Sequence, residues 1–211
     1  MKEGFEKCDY EHTLFIKWQD EKIVIISLYV DDLIVSGNDE LMLTEFRNSM
    51  KNEFEMTDLG RMRYFLGLEV LQKPDGIFIN QCKYASDVLK HFGMDKSNSV
   101  HNPIVPGFKF TKDEGGVKVN KTYYKQVVGS LMYLTTTRPD ITFAVSLASR
   151  FMKNPTKLHL QLVKRVLRYL KGTIEFEIFY KKGRVDELVA YTDSDYAGDI
   201  EDMVFKKATS S

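Results

Sequence analysis

The stretch Ile23-Val24-Ile25-Ile26-Ser27-Leu28-Tyr29-Val30-Asp31-Asp32-Leu33-Ile34-Val35-Ser36-Gly37 places two adjacent carboxylates between two apolar runs. The first run is apolar at odd and even positions alike, the pattern of a strand buried on both faces. Thr13–Trp18 precedes it across the polar turn Gln19-Asp20-Glu21-Lys22, so the two read as a hairpin. Leu33–Val35 resumes as a strand directly after the acids. Charge between buried strands is costly unless something compensates it. A divalent cation compensates directly, because Mg²⁺ takes carboxylate oxygens together with substrate phosphates. The competing reading is an exposed hairpin turn, where Asp is at home for conformational reasons alone.

Outward from this centre, Asp39 can cap a helix running to about Phe54, with Leu43, Phe46, Met50 and Phe54 on its apolar side. Asp58-Leu59-Gly60 leads into a strand over Tyr64–Leu71. Lys73-Pro74-Asp75-Gly76 signals a turn, and Ile77–Asn80 a return strand. Gln81–Phe92 has helical spacing (Tyr84, Ala85, Val88, Leu89, Phe92), with Gly93 at its stop. Residues 94–120 lack apolar period, contain Pro103, Pro106 and Gly115-Gly116, and read as a long connection. Beyond it the chain turns helical. Tyr124, Val127, Val128, Leu131 and Leu134 mark one helix, and Arg138-Pro139-Asp140 restarts another. A third follows Asn154-Pro155-Thr156, with Val163, Val166, Leu167 and Leu170 inward and Gly172 at its end. Glu175–Tyr180 and Glu187–Thr192 read as strands, the second leading to Asp193-Ser194-Asp195.

The chain has 211 residues and a formal net charge of zero, which excludes a uniformly basic nucleic-acid coat protein. The charge is nevertheless segregated. Arg150 to Arg184 holds ten Lys or Arg against Glu175 and Glu177, whereas Asp186 to Asp202 holds seven acids and no base. This reads either as a phosphate-tracking surface beside a metal-binding one or as two solvated faces. Cys8 and Cys82 lie far apart and the four histidines are scattered. A disulfide framework and a zinc site are therefore not expected, and a reducing intracellular home, cytoplasmic or nuclear, is. No apolar run suffices to cross a bilayer, and Met1–His12 resembles neither a signal nor a transit peptide, so no membrane partner is expected.

Read together, the blocks resemble the reverse transcriptase of copia-type retrotransposon Pol polyproteins. They are Gly4-Phe5; Leu28-Tyr29-Val30-Asp31-Asp32-Leu33; Ser36-Gly37; Asp58-Leu59-Gly60; Tyr64-Phe65-Leu66-Gly67-Leu68-Glu69-Val70; Lys83-Tyr84-Ala85; Val128-Gly129-Ser130-Leu131; Thr137-Arg138-Pro139-Asp140-Ile141; Lys164-Arg165-Val166-Leu167-Arg168-Tyr169-Leu170-Lys171-Gly172-Thr173; and Tyr191-Thr192-Asp193-Ser194-Asp195-Tyr196-Ala197-Gly198, in that order. Each is weak alone, and their order is specific.

The resemblance implies an α+β fold: a partial polymerase palm over 1–93, a small antiparallel sheet (Thr13–Val35 and Tyr64–Asn80) crossed by the Asp39–Phe54 helix; a connecting loop over 94–120; a helical thumb or connection over 121–173; and the start of a ribonuclease H domain over 174–211. It implies that Asp31 and Asp32 hold Mg²⁺ or Mn²⁺ and that Leu66, Gly67, Leu68 and Glu69 form the primer grip. Asp193 becomes the first ribonuclease H carboxylate, also a metal ligand, although a strand-end turn acid explains it as well. Lys164, Arg165, Arg168 and Lys171 would meet template-primer phosphates, or else form a solvated helix face. Expected partners are an RNA/DNA template-primer, deoxynucleotide triphosphates in the intact enzyme, and the rest of Pol. The family's third palm carboxylate and its fingers fall before Met1, and the remaining ribonuclease H acids after Ser211. These 211 residues are therefore expected to be inactive alone. Three readings follow: an enzyme fragment active within a longer polyprotein, the product of a decayed element, or a retained nucleic-acid- or partner-binding module.

Overall fold

A computed structural model describes residues 4–108 and 110–183. The expected strand Glu187–Thr192, Asp193 and most of the ribonuclease H segment fall outside these residues. The chain divides into two compact units, Met1–Met62 and Arg63–Ser211.

In the first unit, β1 (Glu6–Lys7), β2 (Leu14–Gln19), β3 (Lys22–Tyr29) and β4 (Asp32–Gly37) form an antiparallel meander in that order. Helix α1 (Glu40–Glu53) starts where Asp39 accepts a hydrogen bond from Met42 N at 3.0 Å. Lys22 pairs with the same carboxylate at 2.9 Å; that hydrogen bond, joined by the one from Met42, holds Asp39 below the usual carboxylate range. One sheet face and α1 share a core of Val24, Ile26, Met42, Leu43 and Phe46, flanked by Phe15, Leu33 and Val35. A fully buried side chain of this size contributes about 1.5–3 kcal/mol. The expectation that β3 is buried on both faces holds for one. Val24 and Ile26 are buried, whereas Ile23 and Ile25, on the alternate face with the exposed Trp18, stay half-buried. Among the described residues of this unit, no helix covers that face. Gly37 is required by space: a Cβ there would stand 2.6 Å from Ile23 O and 3.1 Å from Leu43 Cδ2.

The second unit has its own antiparallel sheet, ordered β5 (Tyr64–Phe65), β6 (Leu68–Lys73), β7 (Gly76–Asn80) and β8 (Ile178–Lys181). The expected single sheet of Thr13–Val35 with Tyr64–Asn80 is thus two sheets. The second sheet closes on strands of its own unit: β6 pairs with β5 at Leu68 and Glu69 and with β7 along its length, and β7 pairs with β8 from Gly76 to Ile79. The expected strand Tyr64–Leu71 is itself folded. Phe65 pairs with Leu68 around Leu66-Gly67, both at positive φ (49° and 76°), the signature of a tight two-residue hairpin turn. β8, which overlaps the expected strand Glu175–Tyr180 at the start of the ribonuclease H segment, pairs with β7 at Ile77↔Tyr180 and Phe78↔Phe179.

The helical core follows the expected periodicity. It comprises α2 (Cys82–His91), α3 (Lys121–Leu134), a short 3₁₀ turn Pro139–Ile141, α4 (Thr142–Ser149) and α5 (Lys157–Gly172). Val88, Leu89, Tyr124, Val128, Leu131, Leu134, Val166, Leu167 and Leu170 meet in one cluster. Tyr124 is fully buried and donates to Ala148 O at 2.9 Å; burial raises its pKa. None of the described helices is long and apolar enough to cross a membrane.

The connection 94–120 is held as a strap along α5. Arg168 Nε donates to Asn98 O (2.7 Å), Arg165 Nε to Asn102 O (3.1 Å), and Lys157 N to Val117 O (2.8 Å). The buried His159 accepts Thr156 N–H at Nδ1 (3.0 Å), so its proton sits on Nε2, which donates to Thr111 O (2.8 Å). Gly172 lets the strap approach, since a Cβ there would come within 2.9 Å of Ser99 Cβ.

Candidate functional site

The hairpin between β3 and β4 turns in two residues, Val30 and Asp31, flanked by the pair Tyr29↔Asp32. Two-residue hairpins need positive φ to match strand twist. Val30 supplies it at φ 51°, a conformation that costs a β-branched residue about 1–2 kcal/mol, and it is 78% exposed. A valine strained and exposed beside two acids has no packing rationale, and local strain of this kind gathers at functional positions.

Asp31 and Asp32 are exposed and border one groove of about 390 Å³, confined to the first unit. α1 contributes Phe46, Arg47, Met50 and Lys51, and the segment after it Glu55 through Gly60. Asp58 accepts Gly60 N–H at 2.9 Å, which with the nearby Lys51 (3.6 Å) lowers its pKa. Arg47 pairs with Glu40 at 3.0 Å. Alternation along β4 turns Asp32, with Tyr29, to the face that α1 leaves open, opposite Leu33 and Val35. The acids thus stand at the rim joining the groove to the open sheet face. The sequence assigns no role to Arg47, Lys51 or Asp58; the i, i+4 spacing of the two cations was the available signal.

Among the described residues, no three His, Cys, Asp or Glu side chains gather so as to hold a metal ion. Asp31 and Asp32 are two carboxylates without a third, and a two-ion centre needs more protein ligands than that. The described residues alone do not fit one.

The four residues read as a primer grip lie in the second unit. Leu66 O accepts the Tyr133 hydroxyl of α3, and Tyr84 of α2 packs edge-on against that ring at 5.0 Å. Gly67 faces the same hydroxyl, where a Cβ would stand 3.3 Å away. Leu68 begins β6, and Glu69 accepts Lys83 N–H at 2.7 Å, capping α2. The turn is therefore clamped between two helices.

Of the four α5 cations expected to meet phosphates, Lys164 and Lys171 are exposed, whereas Arg165 and Arg168 are half-buried and bound to the strap. Asp193 lies outside the described residues. Arg138, part of the Thr137–Ile141 block, is 3% exposed. It grips Asp140 through Nε (2.9 Å) and Nη2 (2.7 Å), and Thr173 through its carbonyl (2.8 Å) and hydroxyl (2.6 Å). Tyr169 and Phe176 flank the guanidinium. Burial pushes the Asp140 carboxyl up; the Arg138 bonds and charge outweigh it, leaving the pKa lowered.

Comparison with known proteins agrees with the motif reading. Residues 1–106 match the family described as reverse transcriptase (RNA-dependent DNA polymerase). The chain is 39% identical over 201 residues to the retrovirus-related Pol polyprotein from transposon RE1 of Arabidopsis thaliana, covering 95% of this chain and 14% of that protein. It is 37% identical, with the same coverage, to the Pol polyprotein from transposon RE2 of the same plant. An uncharacterized mitochondrial protein of Arabidopsis thaliana, AtMg00810, is 37% identical over 172 residues, 81% of this chain and 71% of its own length. The chain thus spans about one seventh of the Pol polyproteins it matches. No solved structure matches.

Proposed function

The chain belongs to the reverse transcriptase family, and from that premise we propose that it is the palm-to-thumb portion of a copia-type RNA-directed DNA polymerase that works only within a longer Pol polypeptide. The observation carrying this reading is the Val30-Asp31 turn. A strained, exposed two-residue hairpin presents Asp31 and Asp32 at the rim of an antiparallel sheet backed by one helix.

In the assembled enzyme Asp31 and Asp32 supply two of the carboxylates that hold Mg²⁺ or Mn²⁺. An ion held there would offset charge on the phosphates. The clamped Leu66–Glu69 turn seats the primer end, and α5 meets template-primer phosphates. Asp193 begins a ribonuclease H site. Deoxynucleotide triphosphates bind only where the remaining polymerase elements are present. Among the described residues two adjacent carboxylates supply too few protein ligands for a two-ion centre, which supports inactivity of the chain alone.

The test is primer extension on an RNA template with Mg²⁺ or Mn²⁺. The 211-residue chain should add no nucleotides. A Pol polypeptide of a relative carrying residues 1–211 in place of its own segment should extend, and Asp31→Asn or Asp32→Asn should abolish extension. Template-dependent synthesis by the 211-residue chain, lost on Asp31→Asn, would refute inactivity. Unimpaired extension by the Asn variants would refute the role of the pair.

A further inference from the structure

α5 carries Lys157, Lys164, Arg165, Arg168 and Lys171 and no acid. The strap segment lying on it, residues 96–102, adds Lys96 and His101 and again no acid. Within this composite surface the two arginines differ from the lysines in how they are held. Arg165 and Arg168 each spend Nε on a strap carbonyl, Asn102 O at 3.1 Å and Asn98 O at 2.7 Å. Neither makes an ion pair or a second hydrogen bond through its terminal nitrogens among the described residues. A guanidinium anchored at Nε has its plane set and its Nη pair left over. That pair is the fork that matches a phosphate bidentately.

We propose that the strap pre-orients Arg165 and Arg168 as a pair of phosphate forks, making residues 96–102 and α5 one binding surface for the backbone of a nucleic-acid duplex. The inference rests on the function proposed above and deepens it by naming which groups contact the polyanion and what positions them. Anchoring removes rotamer freedom before binding, so less is lost on contact. The three-residue spacing puts the two forks side by side on the helix. An anionic membrane shares the charge preference. An interfacial helix, however, inserts exposed apolar residues, and every leucine and valine of α5 is buried or half-buried.

The experiment measures binding of the 211-residue chain to an RNA–DNA hybrid across a salt series, with vesicles of anionic lipid as a second ligand. Wild type should bind the hybrid with affinity falling steeply as salt rises. Arg165→Ala with Arg168→Ala should reduce the slope of log K against log salt by about two, one per lost phosphate contact. Arg165→Lys with Arg168→Lys keeps the charge and should keep the slope, yet weaken binding about tenfold at fixed salt. Gly172→Ala changes no charge. It pushes Ser99 and the strap off α5 and should weaken binding severalfold as well. Thermal unfolding of each variant identifies any that fails to fold, and the lysine and alanine routes stand in for one another. Lysine and Gly172→Ala variants that bind like wild type would overturn the pre-orientation and leave a diffuse charge patch. Vesicle binding in preference to hybrid would overturn the ligand. A wild-type chain that ignores the hybrid even at low salt would overturn this binding surface, while the polymerase reading stands or falls on the primer-extension test.

Discussion

Removing the Arg138 side chain should cost the helical unit more than any other single surface-to-core change described above. Its guanidinium is 3% exposed and makes four short hydrogen bonds, two to Asp140 and two to Thr173, which tie the start of the 3₁₀ turn to the end of α5. Breaking a buried pair by deleting one partner costs about 3–5 kcal/mol. Asp140 keeps a 28% exposed side chain, so its orphaned carboxylate rehydrates and the low end applies. Losing the aromatic contacts of Tyr169 and Phe176 adds back about 0.5–1 kcal/mol. Arg138→Ala should therefore destabilise by about 3–4 kcal/mol, or lower the midpoint by about 6–16 °C for a unit of this size. Urea and thermal unfolding followed by far-ultraviolet circular dichroism read it directly. Arg138→Lys, which cannot span Asp140 and Thr173 together, should lie between. The pair also gives a pH signature. The Asp140 pKa is lowered in the folded chain, so its contribution is complete above the ordinary Asp value and is lost as pH falls below that value through the folded one. Asp140→Asn should flatten that acid limb. Arg138→Ala unfolding within about 1 kcal/mol of wild type would refute the reasoning and reduce the cluster to a surface contact.

Gly37→Ala forces a Cβ against Ile23 O and Leu43 and should destabilise the first unit by about 1–3 kcal/mol, visible in the fluorescence of Trp18, the chain's one tryptophan. Glu69→Ala removes the cap on Lys83 N–H and should cost about 1 kcal/mol, whereas Glu69→Gln, which keeps an acceptor, should recover most of it in the same unfolding assay.

The features legible in the sequence are those set by neighbours along the chain. The apolar–acid–apolar run places the β3–β4 hairpin, Asp39 announces α1, and 3.6-residue spacing marks α3 and α5. What stayed hidden depends on partners remote in sequence. Tyr64–Leu71 reads as one strand because Leu66-Gly67 interrupts no hydrophobic pattern; only the backbone's positive φ reveals the turn. A positive charge on a helix reads as a ligand contact, and nothing near Arg165 or Arg168 discloses the carbonyls of Asn98 and Asn102 that hold them. The two adjacent acids were recognisable by type. Their position at the junction of groove and open face follows from strand parity and from where α1 packs, which composition does not encode.

The pairing of β7 with β8 joins residues about a hundred positions apart, with Ile77 opposite Tyr180. During translation the β6–β7 hairpin emerges well before its last neighbour, and for that interval one ladder edge is bare. The helices between must then bring Ile178–Lys181 back across the whole unit, a closure whose entropy is repaid only at the end. Maturation of this sheet is accordingly a late event on the ribosome, and a nascent chain stalled before residue 178 carries an open edge with a taste for other strands.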